Sequence, residues 1–201
     1  MKILYVCTST ETGGAETALY AQALAAREAG NDVKIISLKP LGSVGEKIQT
    51  ADLNVISFQM KGKFRLLEAA GVLARLVQEI QDFKPDVVHA FLYRAIQWCR
   101  LAKRRTEFRL ITTPHYDLSR KNYFLRLLDR ALKDADNISC AESYATAEFL
   151  KKKQKYPEEK IRLVTNGVRA EAFHPDKQRS VRERETLGFT PQDVVFLCGA
   201  R

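Results

Sequence analysis

The chain has 201 residues, 45% hydrophobic and 28% charged, with a formal net charge of +9. Those proportions allow one substantial core and exclude a disordered or fibrous chain. No apolar run approaches the roughly 20 residues that cross a bilayer, so no spanning helix is expected.

The opening run Ile3 to Cys7 reads as a strand and carries no signal-peptide cleavage pattern, which makes the cytoplasm the expected location. A polar loop, Thr8 to Thr12, and an alanine-rich helical segment, Gly14 to Glu28, complete a β-loop-α unit. Val33 to Leu38 and Asn54 to Phe58 are the next strands, joined by a polar connection, Leu41 to Ala51, with room for a short helix. Leu66, Ala70, Leu73, Val77 and Ile80 recur at helical spacing, predicting an amphipathic helix over Phe64 to Phe83. It stops at Lys84-Pro85, because proline cannot continue it. Strands are expected at Asp86 to Ala90, Phe108 to Thr112, Asn137 to Ala141 and Ile161 to Val164, with helices between them. After His174-Pro175 a charged stretch reads as a linker, and Val194 to Cys198 as a fresh strand.

Strands alternating with helices imply an α/β fold: a Rossmann-like, doubly wound parallel sheet with helices on both faces. Such sheets bind ligands beyond the carboxyl ends of their strands. The segments there are Thr8 to Glu16, His89 to Tyr93, Thr113 to Asp117, Glu142 to Tyr144 and Thr165 to Arg169. Gly13-Gly14 at a helix start lets a ligand approach the backbone and offers free N–H groups to a phosphate or sugar oxygen, or else simply permits a tight turn. His89 ends a strand, as a ligand-binding or a structural histidine. Asn166-Gly167 is also a ready-made turn.

Neither the dinucleotide fingerprint G-x-G-x-x-G nor the phosphate loop G-x-x-x-x-G-K-[ST] is present, which argues against NAD enzymes and P-loop NTPases. Cys7, Cys99, Cys140 and Cys198 are scattered, with no C-x-x-C pair and no histidine at zinc spacing, and are expected to be free, buried thiols. No metal site is expected.

The order of these motifs resembles the family 4 glycosyltransferases. It runs from Gly13-Gly14-Ala15-Glu16 through Pro85-Asp86-Val87-Val88-His89-Ala90, Thr113-Pro114-His115 and Asn166-Gly167-Val168, with Phe173 and Pro175 after it, to Gly199-Ala200-Arg201. The resemblance implies one half of a GT-B fold: residues 1–175 an N-terminal acceptor-side domain, 176–192 a linker, and 193–201 the first strand of a C-terminal donor-binding domain. It implies retaining, metal-independent transfer from a nucleotide-sugar to a glycan or lipid-linked acceptor, with no cofactor and no activity in this half alone. His115 is the implied catalytic residue, in a positioning role. Gly13, Gly14, Glu16, His89, Tyr93, Asn166 and Gly167 are the expected substrate-binding residues, and Arg201 the implied clamp on the donor diphosphate. Where the family usually continues Asn-Gly-Val with aspartate, this chain has Arg169. A non-catalytic sugar or lipid-headgroup binding module, and another GT-B enzyme such as a sugar epimerase, remain alternatives.

The charge is uneven: residues 1–100 carry 12 basic and 10 acidic side chains and residues 101–201 carry 21 and 14, so the second half supplies +7. Phe124, Leu127, Leu128, Ala131 and Leu132 form an apolar stripe, with Arg126, Arg130 and Lys133 on the far side. Arg94, Trp98, Leu101 and Arg105 share another helical face, and Lys151 to Lys155 adds a charge run. Aromatic and basic groups so mixed suit peripheral attachment to an anionic membrane surface on its inner face, or an ordinary solvated face. No nucleic-acid recognition module accompanies the charge.

Overall fold

The structure is a computed structural model and describes residues 1–60, 66–115, 122–167 and 174–198. It divides into two compact units, Met1–Asn166 and Gly167–Arg201.

The first unit is built on a seven-stranded sheet, every described pair of which is parallel: β1 (Lys2–Cys7), β2 (Asp32–Ser37), β3 (Asn54–Ser57), β4 (Val87–Phe91), β5 (Arg109–Thr113), β6 (Ile138–Ala141) and β7 (Ile161–Leu163). Their order is β3-β2-β1-β4-β5-β6-β7, so the chain winds outward from β1 in one direction and then from β4 in the other. Helices α1 (Gly14–Glu28), α2 (Ser43–Thr50), α3 (Leu66–Phe83), α4 (Tyr93–Ala102), α5 (Tyr123–Leu132) and α6 (Tyr144–Lys152) connect the strands. This is the expected doubly wound α/β arrangement.

Side chains alternate across a strand, so β1 feeds two cores. Leu4 and Val6 join Ile36, Val88, Ala90 and Leu110 beneath α3 and α4. Tyr5 and Cys7 join Val33, Ile35 and Phe91 beneath α1 and α2. The predicted helix over Phe64 to Phe83 is described from Leu66. Its buried line is Val72, Leu76 and Ile80, with Leu73 and Val77 at the flank, one position round from the predicted stripe. Ala141, Leu150 and Tyr156 form a third, smaller cluster with Tyr93 and Phe149.

Helix α5 departs from its apolar pattern. Asp129 and Leu132 are its buried residues, whereas Phe124 is 79% exposed, Leu127 51% and Leu128 44%. The cause lies beneath it. Arg100 of α4, 1% exposed, donates from Nη1 to Asp129 Oδ1 at 2.7 Å, and from Nε and Nη2 to the two oxygens of Asp136 at 2.8 and 2.7 Å. Gln97, Thr112 and Tyr156 complete the network. Burial alone would lower the pKa of Arg100, but the hydrogen bond and charge of Asp136 raise it, so the guanidinium stays charged. A buried cation must meet its carboxylates. Asp129 therefore turns inward, and Phe124, Leu127 and Leu128 of the same helix turn to water.

In the described part of the second unit, α7 (Lys177–Thr186) starts at Asp176, whose side chain accepts the Arg179 N–H at 3.0 Å, and it buries none of its residues. The strand expected over Val194 to Cys198 does not form. A strand needs a neighbour to pair with, and this segment has none among the described residues; Val194, Phe196 and Leu197 are 80%, 91% and 94% exposed. Cys7 and Cys99 are buried free thiols as expected, but Cys140 is only partly buried and Cys198 is exposed. Arg169 lies outside the described residues.

Candidate active site

The carboxyl ends of β1, β4, β5 and β6 gather the residues that stand out. At the end of β1 the loop runs into α1 at Gly13, the residue preceding the helix. Ser9 Oγ donates to Glu16 Oε1 at 2.9 Å, and the Glu16 carboxylate folds back so closely that a Cβ on Gly13 would lie 2.2 Å from Oε2. A side chain at Gly13 would therefore displace the Glu16 carboxylate from this position, while a Cβ on the exposed Gly14 would meet nothing within 4 Å. Thr8 accepts the Ala95 N–H of α4 at 3.2 Å, tying the β1 loop to the start of the next helix.

Four rings follow one another across β1, β4 and the end of β5. Tyr5 and His89 are 5.6 Å apart, His89 and Phe91 4.3 Å, and Phe91 stacks on His115 at 5.7 Å and 15°. His89 Nε2 shares a 2.7 Å hydrogen bond with Thr113 Oγ1. Burial, and then the nearby His115, push its pKa down to about 3, so its imidazole is neutral. One ring nitrogen of His89 thus bridges two strands within the protein.

His115 differs. Its Nε2 is buried and has no hydrogen-bond partner among the described residues. Burial lowers its pKa, against the opposing pull of Glu142 and Glu16. Its backbone sits at φ 49°, and Leu92, at the end of the adjacent β4, has φ 69° and ψ 155°. The second geometry is nearly confined to glycine and costs about 1–3 kcal/mol, strain of the kind that gathers at functional sites.

Glu142 follows β6, one residue before Ser143, which caps α6. Its Oε1 accepts from Thr146 Oγ1 at 3.0 Å, and its Oε2 is buried without a partner among the described residues. It was not among the expected site residues, although its segment was; a carboxylate placed between a strand end and a helix cap is the signal that marks it.

The other expected residues are placed differently. Tyr93 donates its hydroxyl to Leu125 O at 2.8 Å, which ties α4 to α5, and burial, then Asp129, push its pKa up to about 12. Asn166 and Gly167 are exposed, and neither has positive φ. Arg201 lies outside the described residues. Among the described residues, no group of three or more His, Cys, Asp or Glu could hold a metal, and no helix is long and apolar enough to cross a membrane.

The fold has counterparts among solved structures. HepE from Anabaena, solved in complex with UDP, superposes with a TM-score of 0.79 at 19% identity, over 94% of this chain and 50% of its own. A glycosyltransferase from Rickettsia africae gives 0.77 at 17%, over 95% and 50%. The UDP-GlcNAc 2-epimerase of Methanocaldococcus jannaschii gives 0.62 at 16%, over 83% and 46%. At such identities the likeness is one of fold, the Rossmann-like half of a GT-B protein, and the chain spans about half the length of these structures. No curated protein sequence matches it. The model of Glycosyltransferase Family 4 matches residues 12–172, well over half of the sequence, and the chain belongs to that family.

Proposed function

We propose that this chain is the N-terminal, acceptor-side domain of a glycosyltransferase that moves a sugar from a nucleotide-sugar to a glycan or lipid-linked acceptor, with retention and without a metal. The observation that carries the proposal is a pair of buried atoms without hydrogen-bond partners among the described residues, His115 Nε2 and Glu142 Oε2, at the carboxyl ends of a parallel sheet. Leaving such a group unpaired costs about 1–3 kcal/mol each. Sugar hydroxyls, which both donate and accept, satisfy a neutral imidazole and a carboxylate alike.

Charge divides the labour. Glu16 and Glu142 make this side of the site acidic, which suits hydroxyls and repels a diphosphate. Diphosphate binding therefore falls to the donor half, with Arg201 as its first cation, and the Gly14 N–H at the start of α1 faces the sugar. HepE structures that hold UDP and UDP-glucose support a nucleotide-sugar donor. His115 positions the reacting sugar, and Phe91, stacked on its ring, fixes that orientation. A lipid-linked acceptor would be met at the cytoplasmic face of a membrane.

The full-length protein containing residues 1–201 tests this reading. His115→Ala is expected to lower kcat about 100-fold, the scale of a misplaced reactant, with little change in donor affinity and no sensitivity to a chelator. Unchanged turnover would refute the role of His115. Epimerisation, favoured as a second reading by the likeness to a UDP-GlcNAc 2-epimerase, would show as a changed nucleotide-sugar formed without any acceptor. A binding module would show neither product.

A further inference from the structure

Helix α2 has no cap of its own. Gly42 stands before it without a side chain to accept the N–H groups of the helix start, and such groups must find partners elsewhere. Their partner is Thr10, 32 residues earlier, in the loop after β1. Thr10 Oγ1 accepts the Gly42 N–H at 3.1 Å, and the Thr10 carbonyl accepts those of Val44 and Gly45 at 3.0 and 3.2 Å. Thr10 is fully buried. Beside it, the hydroxyls of Thr12 and Ser43 are 2.6 Å apart.

The loop also accounts for the two glycines. A Cβ at Gly42 would lie 2.9 Å from the Glu11 Cα, and one at Gly45 would lie 2.6 Å from Thr10 Oγ1. A serine or aspartate at position 42, the usual local cap, would therefore collide with the loop backbone. Glycine is a poor helix former, and the close approach of Thr10 explains its place in α2. The loop so held is the one that carries the site. Thr8 ties it to α4 through the Ala95 N–H, Ser9 to α1 through Glu16, and Thr10 and Thr12 to the start of α2.

We infer that Thr10 is a positioning residue: through it, with Gly42 and Gly45 permitting the close approach, α2 sets where the Gly14 N–H and the Glu16 carboxylate stand in the site. Thr10, fully buried, acts without meeting a ligand. A displacement of about 1 Å in a reacting geometry costs about 100-fold in rate, so the contact with α2 governs turnover from outside the site. The inference rests on the proposed role of this loop in sugar transfer, but the placement of the loop is measurable without turnover, so the two fail separately.

The test compares Thr10→Val, which keeps the shape and loses the acceptor hydroxyl, with Thr10→Ser, which keeps the hydroxyl, and with Gly45→Ala, which drives a Cβ into the contact. Ile48→Val, in the core beneath α2, controls for a looser helix with the Thr10 bonds kept. In residues 1–201, the amide resonances of Gly13 and Gly14 should shift in Thr10→Val and Gly45→Ala, and stay in place in Thr10→Ser and Ile48→Val. In the full-length protein, with UDP-glucose as the probe, kcat should fall about 10- to 100-fold in Thr10→Val and Gly45→Ala. KM should change less than about threefold, as for an interaction that acts in the transition state. Thr10→Ser should restore kcat to within about twofold of the wild type, and Ile48→Val should leave it there.

Unmoved Gly13 and Gly14 resonances in Thr10→Val and Gly45→Ala would overturn the inference. So would a kcat loss in Ile48→Val equal to that in Thr10→Val, or a Thr10→Ser protein as impaired as Thr10→Val. If the wild type leaves UDP-glucose intact, the donor reading fails, and the inference stands or falls on the resonances.

Discussion

His89 and His115 share one ring stack and are set apart by their hydrogen bonds. Thr113 satisfies Nε2 of His89, while Nε2 of His115 has no hydrogen-bond partner among the described residues. For His89 the consequence is a pH-dependent stability. Its pKa falls from an ordinary 6.5 to about 3 in the fold, so between those values the unfolded chain binds more protons than the native one. Unfolding free energy then rises with pH through that window and is lost as acid charges the unfolded imidazole. From about pH 7.5 to about pH 5 the contribution of this one residue is a loss of about 2 kcal/mol. Urea unfolding at the two pH values should show that loss in the wild type. His89→Gln, which keeps a hydrogen-bonding group near Thr113, should show a loss smaller by the same amount. An identical pH response in the variant would mean that His89 is charged, or solvated, in the native state.

Among the elements, α5 shows where sequence pattern and tertiary structure part. Its stripe of Phe124, Leu127, Leu128 and Leu132 is the usual signature of a core-facing helix, and only Leu132 is buried. The partner that turns the helix, Arg100, lies 29 residues from Asp129 in the chain, on another helix, and no local periodicity reports such a pairing. Arg100→Met should cost about 3–5 kcal/mol in urea unfolding, because two buried carboxylates lose their cation. A cost below about 1 kcal/mol would show that water, rather than Arg100, satisfies them. The strands were more legible. Each of the seven was expected within a residue or two, because parallel strands buried on both faces are short apolar runs between polar loops. The site was legible in part. His115 follows the end of β5 and Glu16 lies in the first turn of α1, after β1, where the topology collects ligands. Tyr93 belongs to the same loop, but its hydroxyl is aimed at the Leu125 carbonyl. For Glu142 the sequence offers only its place between a strand end and a helix cap, and what singles it out from other carboxylates is the burial of Oε2 without a partner among the described residues, which exists only once the chain is folded.

At the scale of the whole molecule, the sheet, its three apolar clusters and the Arg100 network all lie within Met1–Asn166. The described part of the second unit offers nothing comparable. Helix α7 buries none of its residues, and Phe196 and Leu197 are almost fully exposed. Hydrophobic burial is the main favourable term in folding, so the first unit should hold nearly all of the stability. A chain ending at Asn166 keeps β7 paired to β6, including the Val164 N–H to Ala141 carbonyl bond just beyond the strand, and so leaves no core strand without its neighbour. It should unfold cooperatively, within about 0.5 kcal/mol of residues 1–201, the scatter usual for changes away from the core. A loss above about 1 kcal/mol, or a broadened transition, would show that residues beyond Asn166 support the sheet.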